Sequence, residues 1–236
     1  MNPAPEIIVI RKKKDPMTRH FASPASYPDL FTLLVASALI LGFEVTAGIL
    51  PESWPFLARL GLLRLIQCAA LFGLLRARGF SLSAAGLDPR RHGAGLKAGL
   101  TGCALMALFA FAAGSALWLW GMDPLRMIRV TLPADPLNLT LFFVVGGLIA
   151  PVAEELFFRG FLFGYLKQFG WIPALCISTA AFALVHPGVH IPQWIGGFAF
   201  GLAYGLSGSL VAPMVIHACG NIVLFTLSML ARHSFF

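Results

Sequence analysis

Long apolar runs leave this chain few folds to choose from. Seven segments lie near Leu30–Leu50, Trp54–Leu75, Gly95–Gly121, Leu137–Phe169, Trp171–His186, Ile191–Leu206 and Ser209–Ala231. Each meets or approaches the roughly 20 apolar residues that cross a hydrocarbon core about 30 Å thick. In lipid the backbone must satisfy its own hydrogen bonds, so such runs fold as helices. The expected fold is an all-α, polytopic membrane helix bundle of about seven transmembrane helices, within a range of six to eight. The fifth and sixth runs are short, so one of them is expected to be tilted or partly re-entrant.

Composition closes off the alternatives. Hydrophobic residues make up 58% of the 236 and charged residues 11%, against roughly 25% charged in a soluble domain. That excludes an ordinary soluble enzyme, a disordered chain and a nucleic-acid-binding domain. The net charge of +7 is mostly a topology signal. Arg11, Lys12, Lys13, Lys14 and Arg19 precede the first run, and Arg76, Arg78, Arg90, Arg91 and Lys97 follow the second. With Lys167, an N-inside arrangement puts eleven of the 17 Lys and Arg on the cytoplasmic side. Arg126, Arg129 and Arg232 fall outside. Residues 1–28 are read as a basic, flexible cytoplasmic tail, and 29–236 as one transmembrane domain. The first run starts late and lacks a small-residue cleavage site, so it reads as a span rather than a signal peptide. No lipidation motif is expected to anchor the chain.

Cys68, Cys103, Cys176 and Cys219 sit in apolar runs without metal or disulfide spacing, and read as packing residues. Gly197, Gly201 and Gly205, like Gly95 with Gly99 and Gly160 with Gly164, recur every four residues. They read as seams where helix backbones approach closely.

Ionisable groups at membrane depth are costly and therefore informative. One set, Glu44 with Arg59 and Arg64, reads as an ion pair or as snorkelling between adjacent helices. The second set is denser. Glu154, Glu155 and Arg159 lie in the fourth run, His186 ends the fifth, and His217 and Asn221 lie in the seventh. Glu155 and Arg159 are four apart and share a helix face, as do His217 and Asn221. Glu154 points about 100° away from Glu155, free to face a cavity. Helical rise puts Glu154 and His186 each about 22 Å, and Asn221 about 18 Å, from the inner ends of their runs. The polar groups thus fall at similar depth. A partly desolvated carboxylate can act as general base to a water, and an imidazole can share the proton. Imidazole and amide N–H groups can receive an oxyanion. These are parts for hydrolysing an amide. Nothing points to a serine nucleophile, and Cys219 lies on another helix face.

Together, Glu154-Glu155-x-x-x-Arg159, Phe182-x-x-x-His186 and His217-x-x-x-Asn221 resemble the signatures of the CAAX protease and bacteriocin-processing enzyme family. The likeness covers residues 150–221. It implies a glutamic-type intramembrane endopeptidase, without cofactor or metal, acting on a membrane-associated protein or peptide in a bacterial or archaeal plasma membrane. By motif, Glu154 is the water-activating base and His186 its partner. His217 and Asn221 form the oxyanion site, with Glu155 and Arg159 supporting them. Relatives often have eight membrane helices where seven are counted here.

Three other readings stand beside it. Glu154, His186, His190 and His217 could ligate zinc, although Pro187 and Gly188 interrupt the helix that would align the two histidines, and His-Glu-x-x-His is absent. A non-catalytic scaffold or immunity protein keeps the fold without the chemistry. A transporter also breaks helices at intramembrane charges, but here no paired halves with matching interruptions are evident.

Overall fold

The computed structural model describes residues 27–46, 50–186 and 191–233. The tail expected over 1–28 lies outside these except for Tyr27 and Pro28. Pro28 is fully buried. Among the described residues the helices are α1 (Leu30–Thr46), α2 (Phe56–Ala77), α3 (His92–Leu119), α4 (Pro124–Ile128), α5 (Pro136–Phe169), α6 (Trp171–Leu184), α7 (Ile191–Ser207) and α8 (Val211–His233). Two 3-10 turns, Leu82–Ala85 and Pro89–Arg91, join α2 to α3, and no strand occurs among the described residues.

Each of the seven apolar runs is a helix, and the chain is a multi-pass membrane protein. Helices α2, α5 and α8, and α3 with its preceding turn, are long and apolar enough to cross a bilayer, while α1 and α6 are shorter apolar helices. At 14 residues, α6 rises only about 21 Å. Its shortness matches the expectation for the fifth run. The surface left outside is apolar: Val45, Leu119 and Trp120 are each more than 80% exposed, as lipid-facing side chains are.

Aspartates start the helices. Asp29 accepts from the backbone N–H of Thr32 at 2.8 Å, and Asp135 from that of Asn138 at 2.9 Å. Asp88 and Asp123 cap the second 3-10 turn and α4 in the same way. In three of these the next residue is proline, whose missing N–H costs nothing at the first helical position. All four described aspartates are therefore structural, and the glutamates are left for other work.

Glycines bring the helices together. A Cβ at Gly201 would lie 2.7 Å from the Leu175 side chain, which fixes how closely α7 packs on α6. One at Gly99 would lie 2.8 Å from Val215, on the seam between α3 and α8. The Gly160 and Gly164 positions are looser. All four cysteines are free thiols.

Helix α5 is the spine of the molecule. Two stretches of it, Phe142–Ile149 and Leu156–Phe163, are wound as π-helix, with α-helix over Ala150–Glu155 between them. Such widened turns are rare and collect at functional sites. Gly170, at φ 113°, then reverses the chain into α6 and sets α6 beside α5. A buried cluster of Phe158, Phe182, Phe200 and Ile216 joins α5, α6, α7 and α8 around the polar residues.

Candidate functional site

Contacts under 4 Å join five of the six residues singled out above, Glu154, Glu155, Arg159, His186 and His217, and Asn221 lies one helical turn beyond His217 on α8. Arg159 and Glu155 are both fully buried, and Arg159 Nη1 donates to Glu155 Oε1 at 3.1 Å. Arg159 Nη2 donates to the carbonyl of Gly197 at 2.9 Å. Gly197 allows this approach because a Cβ there would press on Phe182 at 3.2 Å. The guanidinium also lies 4.7 Å from the Phe182 ring centre and 5.4 Å from that of Phe200, within cation–π range.

Glu155 carries a second partner. His217 Nδ1 lies 2.9 Å from Glu155 Oε1. A carboxylate only accepts, so Nδ1 carries the proton and Nε2 is turned to the far side of the ring. Phe200 stacks on that ring at 4.5 Å, with planes 18° apart. His217 is thus held by charge on one edge and by packing on one face.

His186 is oriented by a different device. A residue before proline is disfavoured in the α region, and α6 ends at Leu184, two residues short of His186. Leaving the helix frees the carbonyl of Phe182. His186 Nδ1–H donates to that carbonyl at 2.7 Å, which again leaves Nε2 as the outward nitrogen.

Asn221 follows the same logic. In the π-wound stretch the N–H of Ala150 reaches the carbonyl of Val145, five residues back. The carbonyl of Gly146 would take its hydrogen bond from residue 151, which is proline and has none to give. Asn221 Nδ2 donates to Gly146 O at 2.8 Å instead. One amide N–H of Asn221 is committed to the backbone, and among the described residues the other has no partner.

Glu154 lies between the two imidazoles. Its Oε2 is 3.9 Å from His186 Nε2 and 3.8 Å from His217 Nε2. Those separations exceed a direct hydrogen bond and suit a bridging water. Unlike Glu155, its side chain is 20% exposed, and it lines a cleft of about 640 Å³.

That cleft contains what sequence reasoning set aside. Glu44, Arg64 and Gln67 line it together with Glu154 and His186. Arg64 Nη1 forms an ion pair with Glu44 Oε1 and donates to Gln67 Oε1 at 2.7 Å, while Gln67 Nε2 donates to Glu44 Oε1 at 3.1 Å. Arg59 does not join them; its guanidinium lies 6.0 Å from the Phe56 ring centre. Gln67, 1% exposed, was the overlooked signal: a buried amide one turn from an intramembrane arginine. Among the described residues no group of three or more His, Cys, Asp and Glu is arranged to hold a metal ion. His190, the fourth member of the zinc alternative, lies outside the described residues.

Comparison with known proteins converges on the same segment. Residues 136–223 match the family described as Type II CAAX prenyl endopeptidase Rce1-like. The membrane-embedded CAAX protease MroQ of Staphylococcus aureus is 33% identical over 110 residues, covering 42% of this chain and 44% of that relative. The UPF0177 protein YxdF of Lactococcus lactis is 32% identical over 79 residues, covering 32% of this chain and 44% of that one. The chain therefore matches less than half the length of either relative. No solved structure matches it. The segment that supplies all six residues of the polar cluster, 136–223, is the one that matches the Rce1-like CAAX endopeptidase family.

Proposed function

We propose that this chain is an intramembrane endopeptidase of the glutamic type. It hydrolyses a peptide bond in a membrane-associated protein or peptide, near the C-terminus or at a processing site. Its main support is the geometry around Glu154 Oε2, which faces two imidazole Nε2 atoms at 3.8 and 3.9 Å on the wall of a cleft. Each of those rings has its other nitrogen already committed.

In this mechanism Glu154 takes a proton from a water held beside it, and the hydroxide oxygen bonds to the scissile carbonyl carbon. Negative charge gathers on the carbonyl oxygen. The free N–H of Asn221 and, when the ring is protonated, the Nε2–H of His217 are the donors for that oxyanion. Collapse breaks the C–N bond. The proton reaches the leaving nitrogen from Glu154 through His186 Nε2. Glu155 and Arg159 touch no reacting atom; they hold His217 in one tautomer and orientation. The asymmetry of Lys and Arg supports a cytoplasmic N-terminus. Prenylated C-terminal motifs, bacteriocin precursors and C-terminal sorting segments all suit such a site. The description of the matched family, a CAAX prenyl endopeptidase, favours the first.

The test is cleavage of membrane-associated peptides by purified protein in lipid nanodiscs. Glu154→Gln is expected to abolish cleavage without lowering the unfolding temperature. Full activity in that variant would sink the mechanism. Loss with chelators and recovery with zinc would replace it with the metalloprotease. A partner-binding activity that survives Glu154→Gln, with no cleavage by either protein, would favour the scaffold.

A further inference from the structure

The ring of Glu44, Arg64 and Gln67 is poorly explained as a structural ion pair. A pair that merely ties α1 to α2 in lipid would be buried between them. Here the Glu44 side chain is 42% exposed and that of Arg64 20% exposed, and both line the cleft that holds Glu154 and His186. The ring is also unsaturated. Glu44 Oε1 receives both donors, and among the described residues neither Glu44 Oε2 nor Arg64 Nη2 has a hydrogen-bond partner. Arg64 Nε is buried without one as well. One acceptor and at least one donor are therefore left over on two residues that both line the cleft.

We propose that Glu44 and Arg64 form a docking site for the peptide backbone of the substrate, in the cleft that Glu154 lines. A peptide unit offers one N–H and one carbonyl, the complement of Glu44 Oε2 and Arg64 Nη2. An extended chain leaving the lipid must find partners for those groups, because hydrocarbon supplies none. Charge argues against other ligands. Arg64 is already neutralised by Glu44, so a substrate carboxylate would meet the Glu44 carboxylate, and a substrate cation would meet the guanidinium. A neutral group with both hydrogen-bonding senses satisfies each without leaving a charge unpaired. The same cleft is also lined by Ile40, Leu41, Phe157 and Val185, which suit apolar side chains on the same segment. The site thus reads backbone and hydrophobicity rather than a charged residue. The proposal rests on the protease reading for its purpose, but its binding claim can be measured without turnover.

The probe is a pool of apolar ten-residue peptides bearing one benzophenone, prepared as C-terminal amides and as free acids. Photo-crosslinking is measured on full-length Glu154→Gln protein in nanodiscs, so that binding is read apart from cleavage. Replacing both residues with leucine (Glu44→Leu with Arg64→Leu) is expected to raise the apparent Kd about tenfold or more, the loss of one or two hydrogen bonds. Replacing both with glutamine keeps a neutral donor and acceptor, and should restore binding to within about threefold. Amide and free-acid pools should bind alike. Unchanged binding in the leucine pair overturns the proposal. So does free-acid binding that exceeds amide binding tenfold and is lost in the glutamine pair, because Arg64 would then take a carboxylate. Binding that behaves as expected in a protein that cleaves nothing would leave the docking site standing and remove the protease.

Discussion

Glu154 and Glu155 are neighbours in sequence and opposites in circumstance. Glu155 is fully buried, paired with Arg159 and bonded to His217. Glu154 faces a cleft and touches its two histidines only across gaps of 3.8 and 3.9 Å. One helical step of about 100° separates them. Glu155 looks into the bundle, where an unpaired charge would be intolerable. Glu154 looks toward space, where a loosely held carboxylate can exchange a proton. The difference separates a group that holds the site from a group that can act in it, although nothing in the dipeptide itself distinguishes them.

Glu154→Gln tests the acting side, with the largest effect expected. It should cost about 10⁴-fold in turnover, or about 5.5 kcal/mol of barrier. The unfolding free energy in detergent should stay within about 1 kcal/mol of wild type, since among the described residues the side chain makes no short hydrogen bond. Equal loss of stability and activity would put Glu154 on the same footing as Glu155 and dissolve the contrast.

Arg159→Met tests the holding side. Methionine fills much of the space between Phe158, Phe182 and Phe200 but leaves Glu155 buried without its cation. Breaking a buried pair from one side costs about 3–5 kcal/mol. Denaturant or thermal unfolding should show this, with activity lost alongside. A stable but inactive Arg159→Met would mean that Arg159 acts on the reaction directly.

Much of this contrast was legible in the sequence. The spacing of Glu155 and Arg159 indicated a shared face, and the 100° offset left Glu154 free. Helical rise brought His186 and Asn221 near Glu154's depth. Other features were hidden because they depend on which groups meet across helices. Nothing in the spacing of Glu44 and Arg64 says that α1 and α2 close one wall of the Glu154 cleft. The role of Glu155 as the partner that orients His217 joins residues 62 apart. The π-wound stretches of α5 leave no periodic mark in a uniformly apolar run. Pro151 was a visible clue to one of them, but its consequence, a released carbonyl, becomes meaningful only when Asn221 is found on it.

That consequence gives a smaller and sharper test of how the site is held. Pro151→Ala supplies an N–H that can reach Gly146 O and compete with Asn221. Stability should hold or rise slightly, while turnover falls about tenfold as the Asn221 amide loses its fixed direction. Asn221→Ala should destabilise the proline-containing protein by about 1–2 kcal/mol through the orphaned carbonyl, and the Pro151→Ala protein by less. A double-mutant cycle measures the coupling, expected near 1 kcal/mol. Zero coupling would mean that the proline and the asparagine are independent.

The smallest expected effect belongs to a carboxylate outside the spans. Asp29 caps α1: the hydroxyl of Thr32 donates to it at 2.7 Å and the Thr32 backbone N–H at 2.8 Å. These bonds, the hydroxyl first, hold its carboxyl below the usual carboxylate range, with Arg78 adding a weaker pull. A depressed native pKa contributes stability that is present above the unfolded value of about 3.9 and is lost as pH falls through the native value. Asp29→Ala should cost about 1 kcal/mol at pH 7, the usual value of a helix cap. The exposed contact with Arg78 adds little. Unfolding midpoints at pH 7 and pH 3 should show the difference between wild type and Asp29→Ala narrowing at the lower pH, with activity at pH 7 unchanged. A large loss of activity in Asp29→Ala would extend the holding network to the start of α1, and Glu155 would no longer mark its limit.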